Sequence, residues 1–152
     1  MDFSKTTSFS EKLLQVSKYY RTFSNILTVR VVSAEYLIAM KLMSGREYKY
    51  DLSDIVGILL EHRRNEKPIS LDTIDEAVVM LYGENAELQK ISREFIDNAF
   101  SDWDFERIYR DIRDSEIETK ELLLSFKEDH PGKSEESLET ILEKARNKAR
   151  QK

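Results

Sequence analysis

The chain has 152 residues, 40% of them hydrophobic and none of them cysteine, and its formal net charge is −5. That length can bury one core of ordinary size, the lack of cysteine excludes disulfides and thiolate chemistry and fits a reducing cytosol, and the acidic charge argues against nucleic-acid binding by the whole surface. No apolar stretch reaches the roughly 18 residues of a membrane span and no secretory signal opens the chain, so we expect a cytoplasmic protein without membrane segments.

One segment has the pattern of a β-strand. The run ILTVRVV, from Ile26 to Val32, is rich in β-branched residues and alternates apolar with polar side chains. A lone strand leaves its backbone amides unpaired, so it needs a partner, either near the N-terminus or in another chain. No segment before Ser24 has a clear strand pattern, and we therefore predict a homo-oligomer or a protein partner at strand 26–32.

Only four glycines and two prolines interrupt the chain, which favours helices joined by short turns. Ser33 and Gly45 predict a helix from Ala34 to Ser44. Caps and apolar spacing predict further helices from Asp51 or Ser53 to Asn65, from Ser70 to Gly83, along Leu88 to Phe100, from Ser101 or Asp102 to His130, and from Ser134 to Lys152. The predicted class is α+β, mainly α, with a short strand or small sheet followed by five to six helices. The C-terminal helices are a second candidate surface for a partner, through the apolar stripes of Leu88 to Phe100 and of Leu138 to Ala149.

Lys41 lies in the helix 34–44, whose surface is apolar nearly all round. Because an unpaired buried charge is very unfavourable, its ammonium must reach water or meet a carboxylate. Asp51 and Asp54 are the nearest candidates, at the start of the next helix, where the helix dipole favours negative charge. We predict that Lys41 lies within ion-pair distance of one of them. Two interpretations stay open, a cap with a structural ion pair and a functional site.

The segment VRVVSAEYLIAMKLMSGREYKYDLSDIVGILLEH carries Lys41 on a helix, Arg46 just past it, and Asp51 and Asp54 at the next helix start. It resembles the second half of nucleotidyltransferase-like proteins, which include the toxin component of bacterial abortive-infection systems and a related uncharacterised bacterial family. The similarity covers roughly residues 2–83. The resemblance implies that Lys41 and Arg46 bind nucleotide phosphates, and that Asp51 and Asp54 are catalytic, orienting the phosphates or closing the site.

Nucleotidyl transfer needs metal ions held by carboxylates on adjacent strands, which the family places after a Gly-Ser turn upstream of the matched segment. This chain has no Gly-Ser dipeptide, strand 26–32 carries no acid, and the D-x-D at Asp102 is expected at a helix start. We therefore expect a truncated or partial nucleotidyltransferase-like domain over residues 1–101, with a helical extension over residues 102–152.

Such a chain is expected to be inactive alone and to hold no metal and no cofactor of its own. Magnesium and a nucleoside triphosphate would bind only if the full domain were present. The alternative is a non-catalytic helical interaction module that docks on a protein partner, similar to an antitoxin or an adaptor.

Overall fold

The structure is a computed structural model that describes residues 8–44, 50–129 and 140. These described residues form six helices and two strands. In chain order the elements are α1 (Phe9–Val16), β1 (Lys18–Phe23), β2 (Leu27–Val31), α2 (Ala34–Ser44), α3 (Asp51–Arg64), α4 (Leu71–Tyr82), α5 (Lys90–Asp102) and α6 (Phe105–Asp129). The predicted class, α+β and mainly α with one small sheet, is confirmed. The helix predicted over residues 134–152 lies outside the described residues apart from Thr140.

Within the part of the chain that the structure describes, no helix combines the length and the apolar character needed to cross a membrane.

The two strands pair antiparallel as a hairpin, beginning with Lys18 opposite Val31. The register shifts by one residue at Tyr20, which forms a bulge in β1. At the tip, Ser24 and Asn25 have φ values of 50° and 56°. Two consecutive residues with positive φ make the tight turn whose twist matches that of the flanking strands.

The partner of β2 is therefore a segment of the same chain. Of the two partners that the sequence left open, the structure has the one near the N-terminus, although no clear strand pattern identifies it. The residues of β1 are exposed on both faces except for Thr22, so the segment lacks the apolar alternation that identifies a half-buried strand. One edge of β2 is thus paired inside the chain. An unpaired edge on that side of β2 therefore no longer supports the inference that half of the domain is missing.

The core lies between the helices. Its buried side chains come from α2, α3, α4, α5 and the first residue of α6, and the largest are Ile38, Leu42, Ile55, Leu59, Ile74, Leu81 and Ile96. The predicted bounds of α2 are confirmed. So are those of α4, where the Ser70 side chain accepts a hydrogen bond from the Thr73 amide and Gly83 follows the last turn with φ of 98°.

Three helix starts differ from the prediction. Helix α1 was not expected, although a capping box between Ser8 and Glu11 begins it. Helix α3 is not capped by Asp51 or Ser53, because both lie inside its first turn and Tyr50 precedes it with φ of 60°.

The junction of α5 and α6 also differs from the prediction. Helix α5 continues through Asp102, Trp103 follows it with φ of 60°, and α6 begins at Phe105. The Asp104 carboxylate accepts a hydrogen bond from the Arg107 amide at 3.1 Å, so Asp104 caps α6 rather than Ser101 or Asp102.

Helices α3 and α6 lie in close contact along part of their length. A Cβ atom at Gly57 would be 3.3 Å from Cε2 of Tyr109, which is tighter than an ordinary van der Waals contact. The small residue at position 57 allows this approach. One result is that the next turns of α6 lie over the first turn of α3, where Asp51 and Asp54 are found.

Candidate functional site

The site is formed where the end of α2 meets the start of α3. Lys41 occupies the last turn of α2, and Asp51 and Asp54 occupy the first turn of α3. A cation near a helix C-terminus and anions near a helix N-terminus both interact favourably with the helix dipoles. The local sequence therefore places opposite charges at the two ends that approach each other.

Lys41 Nζ lies 3.1 Å from Asp51 Oδ1 and 2.8 Å from Asp54 Oδ2. The predicted ion pair is confirmed, and Lys41 pairs with both carboxylates. The exposed fractions of the side chains are 20% for Lys41, 3% for Asp51 and 46% for Asp54. Ser44 Oγ also donates to Asp51 Oδ2 at 3.2 Å. Asp51 is thus the buried anchor of the pair, and Asp54 is the member that water and ligands can reach.

The ammonium of Lys41 remains charged at neutral pH. Burial lowers the pKa of Lys41, but the hydrogen bonds and charges of Asp54 and Asp51 outweigh burial and raise the pKa above its ordinary value. The two carboxylates therefore favour the charged form of the Lys41 ammonium. Its chemistry here is that of a fixed cation with three hydrogen-bond donors.

Helix α6 contributes a third carboxylate, which satisfies the backbone at the start of α3. Glu116 Oε1 accepts hydrogen bonds from the amides of Leu52 and Ser53, both at 3.2 Å. Glu116 therefore caps α3, since Tyr50 makes no side-chain cap bond. Its Oε2 is buried and has no hydrogen-bond partner among the described residues. Burial raises the pKa of Glu116, although the hydrogen bonds at Ser53 and Leu52 oppose the change.

Arg113, one turn before Glu116, adds a second cation to the site. Its Nη1 donates to Ser53 Oγ at 3.2 Å and lies 3.9 Å from Asp54 Oδ1. The guanidinium is also 4.0 Å from the centre of the Tyr50 ring, and Lys120 Nζ approaches the same ring to 4.9 Å. The Asp54 carboxylate thus bridges two cations, with one oxygen directed to Lys41 and the other to Arg113.

Arg113 and Glu116 were not identified from the sequence. Ile112 lies seven residues after Phe105 and Glu116 lies eleven residues after it, so Glu116 falls on the apolar stripe of α6. A charged residue inside an apolar stripe was the available signal. That signal does not identify the partners of Glu116, which lie more than 60 residues earlier in the chain.

The structure brings together three of the four predicted site residues. Arg46 lies outside the described residues, in the segment 45–49. Among the described residues there is no group of three His, Cys, Asp or Glu side chains that could hold a metal ion. The D-x-D motif lies at the far end of α3 from Lys41, where Asp102 and Asp104 both pair with Arg107.

A separate surface pocket of about 540 Å³ lies at that far end, between the last turn of α3 and the α5–α6 junction. The Arg63 guanidinium covers its aromatic lining, 5.8 Å from the Trp103 ring centre and 5.6 Å from that of Phe105. Arg64 pairs with Glu106 across the rim. Arg63 also donates to the Trp103 carbonyl oxygen, and the two aspartates of the lining pair with Arg107, so each charged group of the lining already has a partner within the chain.

Comparisons of the chain with protein-family models, with curated proteins and with solved structures found no match.

Proposed function

We propose that this chain is a truncated or partial nucleotidyltransferase-like protein whose site around Lys41 contacts the phosphates of a nucleotide. Support comes from the convergence of Lys41, Asp51 and Asp54, three residues of the segment that carries the resemblance, at one partly exposed point. Arg46 is the fourth proposed contact. The lack of cysteine suits the cytosol, where we propose that the protein acts.

The roles follow from charge and exposure. Asp51 holds the Lys41 ammonium in place from the buried side, while Asp54 occupies the accessible side between Lys41 and Arg113. A phosphate group has the same charge sign and the same kind of acceptor oxygens as a carboxylate. On binding, it would replace the Asp54 carboxylate between the two cations, and Asp54 would turn toward solvent.

ATP binding tests this site, measured without added metal by the anisotropy of a fluorescent ATP analogue at low salt. We expect Asp54→Asn to tighten binding about tenfold, because it removes the charge that competes with phosphate. Arg113→Gln is expected to weaken binding about tenfold, because it removes one of the two cations.

Arg93→Gln is the matched control. Arg93 of α5 is about as exposed as Arg113 and pairs with Asp75 of α4 at 2.8 Å. This pair lies away from Lys41. Arg93→Gln should leave ATP binding unchanged. No binding by any variant, or equal binding by all of them, would exclude a phosphate site at Lys41.

We propose that the chain alone does not transfer nucleotides, since neither β1 nor β2 contains the carboxylates that would hold metal ions. Incubation with labelled triphosphates, magnesium or manganese, and a mixed pool of RNA and protein acceptors should leave no label attached. Metal-dependent labelling that Asp51→Asn abolishes would contradict this expectation. A segment supplying the missing carboxylates would be required for activity.

The second candidate function is a non-catalytic interaction module, similar to an antitoxin or an adaptor. It is favoured by the exposed apolar side chains on the hairpin and on the second half of α6, where Leu122 and Leu124 face solvent. A neighbouring toxin gene would support this function. A neighbouring reading frame with a Gly-Ser turn and paired aspartates would support the partial transferase.

A further inference from the structure

The hairpin of β1 and β2 exposes an unusual amount of apolar surface. Every residue of its strands except Thr22 and Val29 is exposed, and the exposed fraction is 64% for Tyr20 and 89% for Ile26 at the tip. A two-stranded hairpin with both faces in water is only marginally stable. Contiguous apolar patches of this kind are typical of surfaces that bind another molecule.

The two outer edges of the hairpin differ. Strand β1 carries a bulge at Tyr20 and the cations Lys18 and Arg21, features that discourage another strand from pairing with an edge. Strand β2, LTVRV, is regular and has no proline, glycine or bulge. In the described part of the chain it pairs with β1 alone. The edge of β2 is therefore the one that can accept a further strand.

The charge of this region indicates the chemistry of the partner. Residues 12–34 contain no Asp or Glu, although acidic residues outnumber basic ones in the whole chain by 29 to 24. The cations in this range are Lys12, Lys18, Arg21 and Arg30. A cationic hairpin attracts an acidic partner, and it repels the same hairpin of a second copy.

A polypeptide fits this surface better than a nucleic acid. The Arg30 guanidinium is already engaged, donating to Ser17 O at 2.7 Å and Ser17 Oγ at 2.8 Å at the end of α1. Arg21 lies over the Phe23 ring at 5.1 Å. Two of the four cations already have partners within the chain, and the exposed apolar side chains of β2 itself are aliphatic. Phosphates do not bind such side chains.

We propose that β2 accepts a strand from an acidic protein partner. The partner strand pairs with the free edge of β2, and its apolar side chains extend the face formed by Leu27, Val29 and Val31. Acidic residues of the partner alternate with these apolar ones and therefore lie on the other face, beside Arg30 of β2, whose charge the neutral Ser17 oxygens do not cancel. This surface is independent of the proposed nucleotide site, so either can fail without the other.

Labelled synthetic peptides of about nine residues test the proposal on the unmodified protein, by fluorescence anisotropy. A peptide of alternating valine and glutamate is expected to bind at least about tenfold more tightly than one of alternating valine and lysine. The same valine–glutamate peptide with alternate backbone amides methylated should not bind, because it cannot complete the strand hydrogen bonds.

The double variant Leu27→Ser/Val31→Ser should weaken binding of the valine–glutamate peptide about tenfold, while Met80→Ser, which changes a similarly exposed apolar side chain on α4, should not. Equal binding of the acidic, basic and methylated peptides would overturn the proposal. So would no binding of the acidic peptide at about 1 mM. A concentration-dependent dimer in light scattering that the double variant abolishes would assign the edge to a second copy and also overturn it.

Discussion

Lys41→Met is expected to lower the free energy of unfolding by about 3 kcal/mol, because it removes the Lys41 ammonium from the buried Asp51 carboxylate. The figure is at the low end for a broken buried ion pair, since Ser44 Oγ and the start of α3 continue to stabilise the Asp51 charge. Asp54 adds little to the loss, because nearly half of its side chain is exposed and water can replace the ammonium there. Urea unfolding at neutral pH measures the change.

Lys90→Met is the matched control, since Lys90 also pairs with a carboxylate, that of Glu94, but at an exposed position. It should change stability by no more than the error of the measurement. Combining Lys41→Met with Asp51→Asn should recover part of the loss, because the second change removes the buried charge that the ammonium stabilised. A Lys41→Met variant as stable as the Lys90→Met variant would show that Lys41 pairing contributes little to the fold.

The sequence predicts the parts of the fold that are determined locally. The bounds of α2 and α4 follow from neighbouring caps and from the spacing of their apolar residues. The pairing of Lys41 is also predictable, because a buried ammonium needs a carboxylate and the start of the next helix supplies two, ten and thirteen residues away. In each case the deciding contacts lie within one element or between two consecutive ones.

Other features depend on contacts that no local pattern reveals. Strand β1 has no buried face, so its pairing leaves no alternation in the sequence. The start of α3 is set by Tyr50 in a left-handed conformation and by Glu116 from a distant helix, whereas the sequence around Asp51 and Ser53 resembles an ordinary cap. For the same reason the part of the site contributed by α6 was not predicted.

The candidate site and the stability of the fold therefore involve the same residues. The contacts of Asp51 are those of a structural ion pair, and the exposed arrangement of Asp54 between two cations is what an anion-binding site requires. The sequence left open a structural ion pair and a functional site. The first interpretation applies to Asp51 and the second to Asp54. Substitutions at Asp54 and Arg113 can consequently test binding, whereas substitutions at Lys41 and Glu116 mainly test folding.

Glu116→Ala is expected to lower the free energy of unfolding by about 2 kcal/mol. The reason is that the amides of Leu52 and Ser53 lose their shared acceptor in a buried setting, and Tyr50 cannot replace it. Urea unfolding checks the value. Glu118→Ala, at an exposed position on the same helix, controls for the change in helix propensity. Equal stability of the two variants would mean that Glu116 does not cap α3.

Glu116→Gln separates the hydrogen bonds from the charge, because the amide oxygen can still accept from both backbone groups. Burial raises the folded-state pKa of Glu116, so its stabilising contribution is fully present below the ordinary glutamate pKa, about 4.3, and is lost as pH rises through the raised folded-state value. Measured against Glu116→Gln, the natural protein should therefore lose stability as pH rises from about 4, and the difference should level off once the carboxyl is ionised. Unfolding in urea across this pH range gives the curve. If the natural protein instead gains stability relative to the glutamine variant as pH rises, the hydrogen bonds from Leu52 and Ser53 outweigh burial and the pKa of Glu116 is lowered.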